Sequence, residues 1–263
     1  MAESYKIIAE QDYCTVVAKY ESSRKNGNAY QSEQDLERWL IEQLQRQGYE
    51  YPSIHNEKEL LENLRIQLGK ANDTEYSDKE WQSLLDILTS ETLTMEDKAG
   101  MIQKENTAVE IERDNGINTN VHLIHKDNVF KNNLQVINQY VPAGGTHANR
   151  YDVTILVNGL PLVHIELKRR GVSIREAFNQ INRYARESFW AGKGMFDYIQ
   201  LFIISNGTET KYYSNTTRYA REQEADKLKG KKKKIQSNSF EFTSYWSDRE
   251  NNLICDLEDF TQT

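Results

Sequence analysis

The spacing of apolar residues predicts helices in the first part of the chain. Between Ser32, a good N-cap, and Gly48, a good helix end, four apolar residues recur at helical spacing: Leu36, Leu40, Ile41 and Leu44. Two further amphipathic patterns follow, NEKELLENLRIQLGKAN and SDKEWQSLLDILTSE, each bounded by polar residues that suit helix caps. Residues 1–30 are instead typical of a short strand pair or of an irregular segment. We expect the helical stretch at about residues 31–100 to pack beside a sheet formed by later residues.

From about residue 108 the apolar pattern shortens into β-branched and aromatic runs that predict strands. These runs are VHLIH (121–125), NLQVINQY (133–140), YDVTILV (151–157), LVHIELK (162–168), YIQLFIIS (198–205) and TKYYSN (210–215). One helix interrupts them, because Ser173 and Glu176 form a capping-box pattern ahead of apolar residues at helical spacing. Strands that enclose a helix predict an α/β domain. The C-terminal part reads as a strand followed by the beginning of a helix.

Composition and charge narrow the class of protein. A chain with 38% hydrophobic and 28% charged residues is typical of a globular protein. The start lacks the features of a signal peptide, and Cys14 and Cys255 read as free thiols, so we expect a cytoplasmic protein without a membrane span. The net charge of −7 argues against a protein that coats nucleic acid non-specifically. The basic stretch KLKGKKKKIQ (227–236) is interpreted as a solvated loop, and whether it contacts DNA stays open.

The run LVHIELK places charged residues on an apolar strand. His164, Glu166 and Lys168 share one face because side chains alternate with period two, and the other face is apolar. Grouping titratable side chains on a buried strand costs free energy of desolvation, which a bound metal ion would offset. The Glu-x-Lys spacing itself is not specific, since Glu209 and Lys211 repeat it within a polar run typical of an edge strand.

A second carboxylate comes from the preceding strand, which begins at Asp152. Asn158-Gly159 predicts a hairpin, but a two-residue loop pairs Asp152 with Ile165 and turns it away from Glu166. A three-residue loop pairs Asp152 with His164 and returns it to the face of Glu166, as a compensating bulge would also do. Pro161 marks an irregular point. We therefore predict a bulged hairpin.

The chemistry of these groups suggests phosphodiester hydrolysis. Carboxylates of Asp152 and Glu166, with the backbone carbonyl of Leu167, offer the oxygen ligands that Mg²⁺ prefers. A bound Mg²⁺ lowers the pKa of a water molecule and neutralises charge on a phosphate oxygen. Lys168 is placed to orient that water or to stabilise the transition state. A set of structural ion pairs is the alternative.

Asp152…Glu166-Leu167-Lys168 resembles the PD-(D/E)xK nuclease motif, with Tyr151 in place of the proline. The wider block HANRYDVTILVNGLPLVHIELKRRGVSIREAFNQINRY resembles the nuclease domain of the restriction (motor) subunits of type I restriction enzymes. REAFNQINRY is similar to their Gln-x-x-x-Tyr motif, which falls on Gln180 and Tyr184.

The first helix resembles one whose acidic residue faces the metal in that family, with Glu33 as first choice and Glu37 as second. The resemblance covers about residues 28–217. The alternative role for Gln180 and Tyr184 is simple packing against the sheet. The alternative for Glu33 or Glu37 is a place on a solvated helix face. His164 is expected to form a hydrogen bond rather than to bind the metal.

The resemblance implies a nuclease-like α/β fold, a central mixed sheet flanked by helices with the added N-terminal helical stretch. Residues 1–263 would form a single nuclease domain with a sheet core at about 108–263. The chain would be a fragment of a longer subunit. The Mg²⁺-dependent endonuclease would cut double-stranded DNA, with Arg169, Arg183 and Arg186 as candidate DNA contacts. A catalytically silent docking or regulatory module with the same fold is the alternative.

The family's remaining functions are expected outside this chain. No Gly-x-x-x-x-Gly-Lys-Ser/Thr loop occurs in the sequence, so ATP would act only in motor domains elsewhere in the parent subunit. The resemblance also implies methyltransferase and specificity subunits as partners through the full-length subunit.

Overall fold

The structure is a computed structural model that describes seven ranges of the chain. The backbone alone is described for 4–11 and 15–21, and the further ranges are 31–105, 108–142, 149–189, 193–216 and 239–262. Among these residues, none of the helices is long and apolar enough to cross a bilayer.

Polar residues cap the starts of the predicted helices, but Ser173 accepts from the backbone N–H of Arg175 rather than that of Glu176, as the predicted capping box would require. Their bounds are Glu33–Arg46 (α1), Glu57–Ala71 (α2), Asp78–Leu88 (α3), Met95–Gln103 (α4), Ile174–Glu187 (α5) and Leu257–Gln262 (α6). Ser32 caps α1 by accepting from the backbone of Asp35, and Ser77 and Glu80 form a reciprocal capping box on α3. The helix at Met95–Gln103 was not expected from its apolar spacing.

The central sheet has five strands and is mixed. Its strands are Leu134–Tyr140 (β5), Tyr151–Val157 (β6), Leu160–Leu167 (β7), Leu201–Ser205 (β8) and Thr210–Ser214 (β9), in spatial order β5-β6-β7-β8-β9. Neighbours are antiparallel except β7 and β8, which are parallel because α5 carries the chain back between them. This arrangement confirms the predicted α/β fold with a central mixed sheet flanked by helices.

Three two-stranded pairs lie outside the central sheet. They are Ser4–Gln11 (β1) with Thr15–Glu21 (β2), Val109–Glu112 (β3) with Asn118–Val121 (β4), and Trp246–Ser247 (β10) with Leu253–Ile254 (β11). The first confirms the strand pair predicted in residues 1–30. The strand predicted at 121–125 is wrong, because β4 ends at Val121 and the side-chain amides of Asn72 and Asn132 bind the backbone N–H groups of His122 and His125.

Apolar side chains cover both faces of the central sheet. On one face, α1 contributes Leu36 and Leu40 to a cluster with Ile165 of β7. On the other face, α2, α3 and α5 pack against the sheet, with Leu64 of α2 beside Leu160 of β7 in one larger cluster. Burying a leucine side chain stabilises a fold by about 1.5–3 kcal/mol, so both layers hold the sheet in place. The helices α1, α2 and α3 therefore lie against the sheet.

Candidate functional site

The β6–β7 hairpin sets the position of the candidate site. Asn158 (φ 51°) and Gly159 (φ 83°) both adopt left-handed backbone conformations and join Val157 to Leu160 in a two-residue turn. A side chain on Gly159 would meet the backbone of Leu64, with its Cβ only 2.7 Å from the Leu64 Cα. The turn is therefore fixed both by its own conformation and by its contact with α2.

The bulge predicted in this hairpin lies in β7 rather than in the loop. Val157 pairs with Leu160, but the register changes between Ile155 and Leu156, and Val153 pairs with Ile165. The predicted three-residue loop is therefore wrong. The extra residue is inserted within β7, next to Pro161, and continuing this register places Asp152 opposite Glu166 rather than His164. The inserted residue nevertheless shifts the alternation of side chains by one, so both carboxylates lie on the same face of the sheet, as a shared metal site would require.

Asp152, Glu166 and Lys168 converge at the end of these two strands. Asp152 is close enough to Glu166 and Lys168 to interact with both electrostatically, and its Oδ2 accepts a hydrogen bond from the backbone N–H of Leu167 at 2.9 Å. Lys168 Nζ donates to Glu166 Oε1 at 3.2 Å and to the carbonyl of Leu167 at 2.9 Å. Two acidic side chains from neighbouring strands and one amine thus lie close together at the end of the hairpin strands.

Burial dominates the electrostatics of the two acids. Desolvation raises the pKa of Asp152, and the neighbouring charge of Glu166 raises it further, against the opposing effects of the Leu167 N–H and Lys168. Desolvation likewise raises the pKa of Glu166, which Lys168 partly opposes. Two acids in one desolvated place repel each other when both ionise. The site therefore favours a cation.

The predicted pair on α5 forms one hydrogen-bonded unit beside the site. Gln180 Nε2 donates to the hydroxyl of Tyr184, which itself donates to the backbone carbonyl of Arg150 at 3.0 Å. The Tyr184 ring is buried, with its centroid 4.9 Å from that of Tyr151 and 6.2 Å from that of His164. The pair thus fixes the residues that precede Asp152, and a direct catalytic role stays a prediction.

The two candidate acids of α1 differ in their surroundings. Glu33 is exposed, and its Oε1 lies 3.9 Å from Lys168 Nζ, so the start of α1 reaches the site. Glu37 is buried, and its carboxylate accepts hydrogen bonds from the side-chain amides of Asn138 and Gln139 on β5. The first choice is therefore brought to the site, whereas the second is held by β5.

The candidate DNA contacts are only partly described. Arg169, next to Lys168, is exposed, and Arg183 is exposed on α5 with its guanidinium 5.6 Å from the centroid of the Tyr184 ring. The side chain of Arg186 and the basic stretch 227–236 lie outside the described residues. The role of all three arginines stays a prediction.

The Glu-x-Lys sequence at Glu209 and Lys211 serves a different purpose. Glu209 Oε1 accepts a hydrogen bond from the Tyr245 hydroxyl at 2.5 Å, and Lys211 Nζ lies 4.4 Å from the centroid of the same ring. Both side chains therefore bind the C-terminal segment to the sheet edge at β9. This agrees with the prediction of an edge strand.

Behind Glu166 lies a buried pair of polar residues of which the sequence indicated only one. His164 is fully buried and hydrogen-bonds through Nε2 to Glu166 Oε2 at 3.3 Å, which confirms the expected hydrogen-bonded histidine. Its Nδ1 lies 3.3 Å from the hydroxyl of Thr154, a residue that sequence reasoning did not select. Desolvation lowers the pKa of His164 to about 4, although the charge of Asp152 and a backbone hydrogen bond at Val153 oppose this. Thr154 could have been found, because it follows Asp152 at period two.

The oxygen atoms at the site are of the kind that magnesium prefers. Within the described ranges, no group of three or more histidine, cysteine, aspartate or glutamate side chains is arranged to hold a metal ion. The candidate ligands are instead the carboxylates of Asp152 and Glu166 with the carbonyl of Leu167, a sparse set that suits Mg²⁺ because this ion retains several waters. The ammonium of Lys168 already binds two of these oxygen-bearing groups, which shows that they attract a cation.

Comparisons with known proteins give the family. A family model described as "Type I restriction enzyme R protein N terminus" matches residues 30–221. The chain is 45% identical to the type I restriction enzyme EcoprrI endonuclease subunit of Escherichia coli, over 100% of this chain and 79% of that protein. It is 39% identical to the SauMSSORF170P endonuclease subunit of Staphylococcus aureus, and 41% identical to the SsaAORF53P endonuclease subunit of Staphylococcus saprophyticus. Each of these two matches covers 89% of this chain but 23% of the relative. The chain therefore belongs to the family of type I restriction enzyme R protein N-terminal domains.

Proposed function

We propose that this chain is the Mg²⁺-dependent endonuclease module of a type I restriction enzyme, which hydrolyses phosphodiester bonds of double-stranded DNA. The observation that carries the proposal is the convergence of Asp152, Glu166 and Lys168 at the ends of two adjacent strands. The relatives' printed descriptions as endonuclease subunits support it.

The proposed metal ligands are groups that the hairpin brings close together. Asp152, Glu166 and the carbonyl of Leu167 would hold Mg²⁺, with Glu33 at the edge of the site. When bound, the ion supplies an activated water and neutralises charge that develops on the phosphate oxygens. The chain itself excludes bulk water from Glu166, which is fully buried.

The neighbouring groups would act on the nucleophile and on the DNA. Lys168 carries a positive charge and hydrogen-bond donors beside the acids, so it would orient the attacking water or stabilise the charged phosphorane-like transition state. Gln180 and Tyr184 would keep the start of β6 in place or contact the DNA backbone. The exposed Arg169 and Arg183 would bind backbone phosphates.

The activity of the whole enzyme would need parts beyond this chain. We propose that ATP-driven translocation belongs to motor domains elsewhere in the full-length subunit. Methyltransferase and specificity subunits would assemble with that subunit and supply the recognition of the target sequence. Within the present chain, the helical stretch at about 31–100 and the sheet core at about 108–263 would act together as one nuclease domain.

Substitutions in the assembled enzyme test this function. The full-length subunit carrying Asp152→Ala or Lys168→Ala, assembled with its partners, should lose double-strand cleavage while it retains ATP-dependent translocation. Lys211→Ala, in the Glu-x-Lys sequence at Glu209 and Lys211, is a matched control that should leave cleavage intact. If cleavage persists in both site variants, the chain is a silent docking or regulatory module with a nuclease fold.

A further inference from the structure

We propose that Thr154 and His164 form a hydrogen-bond relay that fixes the Glu166 carboxylate so that Oε1 faces the cation. This inference rests on the proposed function, because it concerns the acid that would hold the metal. It makes both residues positioning residues, which act through Glu166 and not on the substrate.

The ring of His164 is held by aromatic side chains. Its centroid lies 5.4 Å from that of Tyr151, 5.9 Å from that of Phe189 and 6.3 Å from that of Phe202, all at steep interplanar angles. The ring is fully buried, as is Glu166. A ring packed on several sides cannot turn freely, so the directions of its two nitrogens are fixed.

The fixed ring links two strands through its nitrogens. Nδ1 faces the Thr154 hydroxyl on β6 and Nε2 faces Glu166 Oε2 two residues further along β7, each at 3.3 Å. The other oxygen of Glu166, Oε1, faces Lys168 Nζ at 3.2 Å. The two carboxylate oxygens thus have separate partners, one inside the core and one at the open end of the strands.

The charge of Glu166 decides which nitrogen carries the proton. An imidazole buried among aromatic rings is neutral and carries one N–H, and an ionised carboxylate can only accept. When Glu166 is ionised, as a metal ligand must be, Nε2 therefore donates to Oε2 and Nδ1 accepts from the Thr154 hydroxyl. With the proton on Nδ1, a lone pair of Nε2 would face the carboxylate, which is repulsive.

The relay has the form of the outer hydrogen bonds that orient metal ligands in proteins. Removal of such partners typically weakens metal binding 10- to 100-fold. A purely structural histidine would predict another result, since its replacement would lower stability without a specific effect on a cation. Metal affinity and the position of the imidazole proton distinguish these two roles.

The first measurement reads the tautomer directly. The chain contains five histidines, so selective ¹⁵N labelling gives a simple spectrum in which His164→Gln assigns the signals of His164 by their loss. The relay predicts a single tautomer of His164, protonated on Nε2, when saturating Mg²⁺ is bound, because the ionised carboxylate of Glu166 accepts from that nitrogen. A wild-type His164 protonated on Nδ1 would overturn the relay.

The second measurement reads the effect on a cation. Calorimetric titration of the full chain with Mn²⁺ should show binding weakened about tenfold in Thr154→Val and unchanged in Thr154→Ser, which retains a hydroxyl. His164→Gln, which retains an N–H donor, should bind Mn²⁺ more tightly than His164→Leu. Thermal unfolding in a chelator shows whether each variant is folded. Equal Mn²⁺ affinity in wild type, Thr154→Val and Thr154→Ser would overturn the relay.

Failure of the relay and failure of the proposed function have different signatures. A wild-type chain that binds no Mn²⁺ contradicts the metal site and hence the proposed function. A wild-type chain that binds Mn²⁺ no more tightly than Thr154→Val does contradicts the relay alone and leaves the metal site standing.

Discussion

Replacement of Lys168 by methionine tests the balance of charge at the site without any assay of activity. Methionine retains the apolar stem of this buried side chain and removes the ammonium that binds Glu166 Oε1 at 3.2 Å. At an effective dielectric constant of about 20, a pair of charges at that separation interacts by about 5 kcal/mol. This interaction is one reason why Glu166 can ionise inside the protein.

The loss of the ammonium has a defined dependence on pH. Glu166 has a folded-state pKa above its ordinary value of 4.5. The folded chain therefore loses stability as the pH rises from the unfolded-state pKa of Glu166 to its folded-state pKa. In the wild type this loss ends at the folded-state pKa. In Lys168→Met, Glu166 keeps its proton to higher pH, so the loss continues at about 1.4 kcal/mol per pH unit. Two units above the wild-type pKa, the variant should be less stable by up to about 3 kcal/mol, which the lost interaction of about 5 kcal/mol is large enough to cause.

Denaturant unfolding of both chains in a chelator, between about pH 5 and pH 9, measures this difference. At about pH 5 the variant should be as stable as the wild type, because Glu166 is protonated in both folded chains. Lys98→Met is the matched control, since Lys98 is also buried but binds Asp197, whose side chain is 28% exposed. Its effect should stay nearly constant with pH. A constant difference between Lys168→Met and the wild type over the same range would refute the reasoning.

Three further predictions concern the acids, the turn and α5. Asp152→Asn should stabilise the chain by at least about 1 kcal/mol at pH 8 and leave it unchanged at about pH 4, in chelator-containing unfolding assays, because burial raises the pKa of Asp152 above 3.8 and its ionisation opposes folding. Gly159→Ala should lower the free energy of unfolding by about 3 kcal/mol, because of backbone strain and overlap with α2. Gly116→Ala, at φ 78° with open space around it, should lower it by about 1 kcal/mol. Equal losses in denaturant unfolding would contradict this. Tyr184→Phe should cost about 1–3 kcal/mol by the same method, since it removes a buried hydroxyl that both donates and accepts, and an unchanged unfolding midpoint would speak against that role.

The register of the hairpin shows how far the sequence could lead. The period-two pattern identified the face of His164, Glu166 and Lys168, and the need for Asp152 to share it required one extra residue. The pattern could not locate that residue, because a longer loop and a bulge within a strand both move Asp152 to the other face of the sheet. The preference of Asn158-Gly159 for a two-residue turn decided the outcome, and the insertion moved into β7.

Two other differences have local physical causes. The helix Met95–Gln103 has few apolar residues, yet Thr94 and Asp97 form a reciprocal capping box that the sequence contains and that could have revealed it. At His122 and His125, asparagine side chains take the backbone groups that a strand would need. Such contacts join residues distant in sequence, so no local pattern shows them.

Thr154 was missed for a related reason. A threonine in a strand is ordinary, so its period-two spacing from Asp152 was a weak signal until the register placed it opposite His164. The candidate acids and Lys168 were recognisable because buried charge requires an explanation, whereas a buried hydroxyl does not. The supporting residues of a site are therefore harder to read from sequence than the groups they support.

Diffraction from a crystal of this chain soaked in Mn²⁺ is the most direct test of the central claim, since the anomalous signal locates the ion independently of any activity. We expect a peak that touches the carboxylates of Asp152 and Glu166 and the carbonyl of Leu167, with Lys168 displaced from the glutamate. Clear density for both carboxylates with no peak between them at saturating Mn²⁺ would contradict the account.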